Sequence, residues 1–399
     1  MIGSIFCTKT REILHGHRAI KYRKDPIHTL KEMVSLLVLV ILYNAVLIVS
    51  AGPIENTSNS DELVLLHVLF RHGDRTPDLI EMYPKDPYNN ISYFPEGLGQ
   101  LTRKGKNREY DIGVSMRQKY NSFLGSYKSD EVSAISTDYV RTKMSCLLVL
   151  AGLYPPKGKE IWNEHLNWQP VFYNYNPAGK DYLLGDPLYD CPKYRKLYHD
   201  YLSSNQALQL MQGKTELYNY LSLHTGLNVT IPRDPYNLQF VLQSEQNLGL
   251  KLPQWTESVW PGNITDASVD EYYVNLATPK MQRFAGGVLV KKLLDDTMNK
   301  ISNNSDPMKI YLYSAHENNL AYQLIFLEAF NPHIPPYGSY LVYEIRKVNG
   351  IYGVKILYED YSKEKPRYLS LPSCGTFCPL DKFNNILQKY VPLAEDICV

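Results

Sequence analysis

With 42 basic against 41 acidic side chains and a formal net charge of +1, this chain of 399 residues offers no bulk charge to hold a nucleic acid, and no nucleic-acid partner is expected. The length suits two domains, or one large domain carrying an insertion, with a sizeable core. Its 33 Tyr against 11 Phe suit amphipathic surfaces and pocket walls without naming a ligand.

Residues 1–51 read as a leader and signal peptide. After a long basic stretch, residues 34–51 (VSLLVLVILYNAVLIVSA) form an apolar run long enough to span a membrane. Ser35, Tyr43, Asn44 and Ser50 weaken it, and Val49-Ser50-Ala51 has the small-residue pattern of a cleavage site. Cleavage after Ala51 and secretion are the expectation, with an uncleaved N-terminal anchor as the alternative. Met33 is a second candidate start. No other apolar run reaches spanning length, so no membrane span is expected in the mature chain. Five N-x-S/T sequons, at Asn56, Asn90, Asn228, Asn263 and Asn303, fit an exported glycoprotein.

Residues 63–70 (LVLLHVLF) predict a strand buried on both faces of a parallel sheet, with His67 as the one polar interruption. Arg71, His72, Gly73, Asp74, Arg75 and Pro77 follow at its carboxyl end, where open α/β sheets bind ligands. Guanidinium forks match phosphate oxygens. Gly73 leaves room for backbone to approach a ligand, and Pro77 stiffens the exit. The pattern R-H-G-x-R-x-P arises by chance in such a chain with odds of about one in ten thousand, so a loop that merely happens to be basic is set aside.

A polar connection follows to residue 93. Thr102 reads as the N-cap of a helix reaching about residue 120. Residues 131–136 predict a second strand, after which Thr137 and Asp138 cap a helix over 139–153. Arg141 in its first turn opposes the helix dipole, which makes sense if an anion binds at that end. From 162 to 275 the pattern turns helical, with helices over 190–202, 215–227 and 235–248 and no strong strand. This segment reads as a mainly helical cap inserted into an α/β domain of residues 60–161 and 276–399. Its aromatic residues read as core. A helix over 279–300, a strand over 309–314 and a helix over 318–330 return to the sheet. An antiparallel pair, 338–346 with 354–358, follows. His316 and Glu317 sit where the 309–314 strand ends, repeating the logic of the first motif.

These stretches together, RHGDRTP, FPEGLGQLTRKG, STDYVRTKMS, GGVLV and YSAHENNL, resemble the histidine acid phosphatases over about residues 63–398. The resemblance implies an α/β fold with a mostly parallel sheet flanked by helices and a helical cap. It implies phosphomonoester hydrolysis with His72 as nucleophile, Arg71, Arg75, Arg141 and His316 around the phosphoryl group, and the residue after His316 as proton donor. That residue is usually Asp; Glu317 here moves the carboxyl by about one methylene, and displacements near 1 Å can cost about a hundredfold in rate. No cofactor and no metal are expected, since no cluster with metal-ligand spacing accompanies the arginines. Among the cysteines, Cys146 with Cys398 and Cys374 with Cys378 are the implied bridges, Cys191 is left as a free or intermolecular thiol, and Cys7 precedes the cleavage site. Small phosphomonoesters are the expected partners, and homodimerisation is left open.

The wording is closest in character to secreted insect venom acid phosphatases, with a lysosomal destination as the alternative. The competing reading is a catalytically weak or inactive secreted glycoprotein, an allergen or binding protein that keeps the fold. Departure at Glu317 favours it; the intact set of His72, Arg71, Arg75, Arg141 and His316 speaks against it.

Overall fold

The structure, a computed structural model, describes residues 60–303, 305–396 and 398. The predicted signal segment 34–51, Cys7 and the Asn56 sequon lie outside the described residues. The other four sequon asparagines, Asn90, Asn228, Asn263 and Asn303, are all exposed.

The predicted strand is β1, Asp61–Arg71. The others are β2 (Val132–Ser136), β3 (Asn174–Tyr175), β4 (Ile310–Ala315), β5 (Tyr340–Val348), β6 (Ile351–Glu359), β7 (Arg367–Tyr368) and β8 (Cys378–Pro379). They form one eight-stranded sheet of order β3-β2-β4-β1-β5-β6-β7, with β8 against β6. The sheet is mixed. β3, β2, β4 and β1 run parallel, whereas β5 joins β1 antiparallel and begins a hairpin with β6. The site lies on the parallel half.

Both faces of β1 are covered, which explains its near-continuous apolar run. Leu66, Val68 and Phe70 pack with Ile112 and Met116 of helix α1 (Arg103–Leu124) and Val149 and Leu150 of α2 (Val140–Leu153). Leu65 and Leu69 face the opposite core. His67 lies on that side, 3.0 Å from Thr297 Oγ1 and stacked on Tyr311, and burial pushes its pKa down to about 3. It is a neutral core residue.

Within residues 162–275 the first part, to Asp186, is loop apart from β3, which adds to the edge of the sheet beside β2; from Pro187 on the regular elements are all helices, joined by loops. Two of their helices are α3 (Arg233–Asn247) and α4 (Gly262–Asn275), the second of which the sequence pattern missed. Leu238, Val241, Leu242 and Ile264 from these helices join Tyr83, Tyr218 and Leu221 in a small core of their own. The chain then returns through Pro279–Gln282, a π turn at Arg283–Gly287 and α5 (Val288–Ser302). After β4 comes α6, Glu317–Phe326, shorter than the 318–330 expected.

One disulfide differs from expectation. Cys374 pairs with Cys378, but Cys398 pairs with Cys191 rather than with Cys146. Cys146 sits on α2 in the core on the Phe70 side of the sheet, while Cys191 and Cys398 pack in the core on the Leu69 side. The sheet separates them. Cys146 is a buried free thiol, and burial pushes its ionisation far up.

Candidate active site

Strand register builds the site. Arg71 at the end of β1 pairs in parallel with Ala315 at the end of β4, so the next residue on each strand, His72 and His316, emerges at the same height. His72 N donates to Ala315 O at 3.1 Å, and their rings meet edge to face, 5.4 Å between centroids. β2 ends alongside: Ser136 pairs with Ser314, and Thr137 Oγ1 shares a 3.0 Å hydrogen bond with His316 Nε2.

His72 is buried, and its Nδ1 donates to the Gly73 carbonyl at 2.9 Å. A carbonyl only accepts, so Nδ1 carries the proton and the lone pair sits on Nε2. Arg141 Nε approaches that Nε2 at 3.3 Å. Burial, then Arg141, Arg71, His316 and Arg75, hold the His72 pKa well below the usual histidine range. His316 is lowered by burial and by the same three arginines. Both shifts favour the neutral imidazole.

The three guanidiniums converge from different elements. Arg71 is fully buried; its Nη1 donates to Pro335 O at 2.7 Å, its Cζ lies 3.9 Å over the Tyr337 ring, and its Nη2 has no hydrogen-bond partner. A buried orphan donor beside His72 fits an oxyanion ligand. Arg75 spends its fork on Glu81, at 2.8 and 2.5 Å, leaving Nε unpartnered. Arg141 Nη1 is held by Asp78 at 3.0 Å. The helix carrying Arg141 starts at Tyr139 without a side-chain cap; Thr137, expected to cap it, bonds Thr142 and His316 instead. Asp138 turns to Lys143 and Ala178 N.

Glu317 opens α6 and is buried. Oε2 lies 3.6 Å from Arg71 Nε, and Oε1 accepts from the Tyr236 hydroxyl of α3. All six predicted residues thus meet at one place. His72, Arg75, Arg141, His316 and Glu317 line a cleft of about 180 Å³, together with Asp78, Ile80, Tyr139, Tyr189, Phe240 and others. Arg71 lies beneath it. A wider groove of about 810 Å³ along α1 shares no lining residue with this cleft.

Gly73 corrects one expectation. A Cβ there would lie 2.5 Å from the Gly105 carbonyl, so the missing side chain makes room for the start of α1 rather than for a ligand. Other site residues went unread. Asp78-Leu79-Ile80-Glu81 is a capping box, with Glu81 Oε2 accepting from Asp78 N at 2.8 Å. That D-x-x-E signal was available; what it did not reveal is that the same carboxylate clamps Arg75. Tyr236 and Phe240, taken as core, stand four apart on α3 and share the face that meets the cleft.

Residues 62–359 match the family model described as histidine phosphatase superfamily (branch 2). Among curated proteins, the chain is similar to venom acid phosphatase Acph-1 of Apis mellifera, 38% identical over 84% of this chain and 87% of that protein. It is also similar to lysosomal acid phosphatase of Xenopus laevis, 33% identical over 88% of this chain and 81% of the relative. Among solved structures, a Hafnia alvei phytase in complex with myo-inositol hexakis sulphate superposes with a TM-score of 0.61 at 16% identity, covering 83% of this chain and 98% of the phytase. At that identity the likeness is one of fold.

Proposed function

We propose that the chain, which belongs to the histidine phosphatase superfamily (branch 2), is an acid phosphatase that hydrolyses phosphomonoesters through a phosphohistidine on His72. The observation that carries this reading is the His72 tautomer: Nδ1–H is tied to the Gly73 carbonyl, and a basic Nε2 stands 3.3 Å from Arg141 Nε.

In the first half-reaction the Nε2 lone pair attacks phosphorus. The bond from phosphorus to the leaving oxygen breaks, and that oxygen takes the proton of the Glu317 carboxyl. The Gly73 carbonyl supports the positive charge gained by the imidazole. In the second half, the Glu317 carboxylate takes a proton from water, whose oxygen attacks phosphorus. The phosphorus–nitrogen bond breaks, His72 returns neutral and inorganic phosphate leaves. Arg71 and Arg141 offset charge on the phosphoryl oxygens. Arg75, its fork committed to Glu81, contributes its field and its free Nε; His316 adds a neutral edge. The lowered His72 pKa keeps the nucleophile unprotonated in acid, where a carboxyl is a competent donor.

Residues 162–275 act as a cap on the α/β body in this reading, with α3 forming one wall of the cleft. Export is part of the proposal: cleavage after Ala51 and glycan on the exposed sequons, checked by N-terminal sequencing and glycosidase treatment of the mature protein. A mature chain that retains residues 34–51 overturns that part.

Phosphate release from p-nitrophenyl phosphate across pH, in EDTA, tests the activity. Turnover greatest in acid and indifferent to chelator is expected. No turnover, or loss in EDTA restored by Zn²⁺ or Mg²⁺, overturns it.

A further inference from the structure

We propose that a second cavity, separate from the cleft at His72, binds a small hydrophobic amine: an ammonium group on an apolar body. The cavity measures about 410 Å³ and lies between residues 181–191, the π turn and first residue of α5, and the segment 392–398. It shares no lining residue with the cleft at His72, although Asp186 and Tyr189 of the same 181–191 segment line that cleft. Nothing in the phosphatase reading uses this cavity.

Charge carries the first half of the argument. Asp396, Asp181 and Asp190 stand in the wall. Asp396 is matched by Arg283 at 2.5 Å. Among the described residues no Lys or Arg is paired with Asp181 or Asp190. Lys291, which also lines the cavity, is already bound to Asp295. Asp181 is only 3% exposed. Its Oδ1 accepts from Asn176 Nδ2 at 3.1 Å and from the backbone N–H groups of Leu183 and Leu184 at 3.2 and 3.1 Å. Its Oδ2 is buried with no hydrogen-bond partner. Leaving such an oxygen unserved is costly, and here it stands in the wall of a cavity that a donor can enter. Asp190 is buried too, with Oδ1 accepting from Gly179 N at 2.7 Å. Its Oδ2 fits only because residue 185 is glycine, since a Cβ there would lie 1.8 Å away. Burial, and after it the charges of Asp181 and Asp186, raise the Asp190 pKa to about 6. A cation placed between Asp181 and Asp190 relieves that repulsion.

Apolar surface decides which cation. Phe284, Val288 and Leu393 face the same space. A metal ion needs more ligands than two carboxyls, and among the described residues no group of three or more His, Cys, Asp or Glu could hold one. A primary ammonium brings three donors, enough for Asp181 Oδ2 and Asp190 together, while an attached alkyl or aryl body covers the apolar wall. The volume falls within the range of about 300–1,000 Å³ usual for small-molecule pockets.

Isothermal titration calorimetry of the intact protein at pH 7.5 with 4-phenylbutylamine, 4-phenylbutanol and 4-phenylbutyrate tests the site. The amine should bind at one per chain. The alcohol and the acid should each bind at least about tenfold more weakly, the usual cost of losing a hydrogen bond between charged groups. Asp181→Asn keeps the Oδ1 acceptor for Leu183 and Leu184, so its melting temperature should stay within a few degrees. It should nevertheless weaken the amine about tenfold or more while leaving the alcohol unchanged. Val288→Phe, which fills the cavity from outside the cleft at His72, should weaken amine and alcohol alike. None of these readouts is turnover, so they stand or fall independently of the phosphatase reading. No binding of the amine, an alcohol that binds as tightly as the amine, or amine affinity unchanged in either variant overturns the proposal.

Discussion

The Tyr236 hydroxyl donates to Oε1 of Glu317 across the cleft, from α3 in the helical segment to the first residue of α6. The other oxygen of Glu317 faces Arg71 at 3.6 Å. The carboxyl is therefore held from two sides. The family resemblance makes Asp the usual residue here, and Glu317, one methylene longer, accepts from this phenol. Tyr236 is a positioning residue in this account. Tyr236→Phe should lower kcat about tenfold with little change in KM, because a freed carboxyl spends less time aimed at the leaving oxygen. Combined with Glu317→Gln, it should add almost nothing, since the two act as a unit. A raised KM at unchanged kcat would make Tyr236 a wall of the cleft and no more.

His72→Ala should abolish turnover and phosphoenzyme formation while leaving the melting temperature within a few degrees. Rapid quench with labelled substrate reads the intermediate, which should be stable in base and labile in acid in the parent. An intermediate that persists in the variant would identify another nucleophile.

A buried acid pair predicts how stability depends on pH. Glu245 on α3 is fully buried beside Asp86, with neither of its oxygens hydrogen-bonded in good geometry. Burial, then Asp86, pushes the Glu245 pKa from 4.5 up to about 9. The folded protein thus keeps a proton that the unfolded chain gives up, so this contribution is whole below pH 4.5 and is lost as pH rises through about 9. The lowered pKa values of His67, His72 and His316 act in the opposite sense, costing stability as pH falls below 6.5. The clean readout is therefore a difference. The melting temperature of the parent minus that of Glu245→Gln should fall steadily from pH 5 to pH 9. A flat difference would mean that folding does not raise the affinity of Glu245 for its proton.

Much of the site was legible because it follows strands. Residues 63–70 and 309–314 announce buried strands by apolar run, and a histidine stands two residues beyond each; parallel register then brings His72 and His316 together. What the chain order hides is contact across the cleft. Nothing local to Tyr236 marks it as a partner of a residue 81 positions away. Nor does any spacing show which face of a sheet a cysteine occupies, and so the pairing of Cys398 was misread. Gly105 explains Gly73 only once α1 is folded against the turn.

The disulfide pairing makes its own prediction. Cys191–Cys398 closes a loop of 207 residues, and a bridge of that span stabilises by about 2–5 kcal/mol, chiefly by restricting the unfolded chain. Cys191→Ser should lower stability by that amount and expose a second thiol, from Cys398. Cys146→Ala should cost about 1–2 kcal/mol through lost packing alone, and the parent thiol should react with disulfide reagents only on unfolding. Peptide mapping that links Cys146 to Cys398 would contradict this pairing.

Replacing Glu317 should separate good leaving groups from poor ones. A donor matters most when the departing oxygen leaves as an alkoxide, and least for a nitrophenolate, which departs almost unaided. Glu317→Gln keeps size and polarity but has no acidic proton to supply. Its loss of kcat/KM should be about tenfold or more larger on ethyl phosphate than on p-nitrophenyl phosphate, within the usual span of general acid catalysis. Glu317→Asp addresses the extra methylene. With Tyr236 holding the longer carboxyl in place, the shorter one cannot reach both the phenol and the leaving oxygen, so Asp should be slower than the parent on ethyl phosphate. In a Tyr236→Phe background that disadvantage should shrink, because the phenol no longer sets the reach. Equal losses on both substrates in Glu317→Gln would mean that the carboxyl only shapes the cleft, and the proton would have to come from elsewhere.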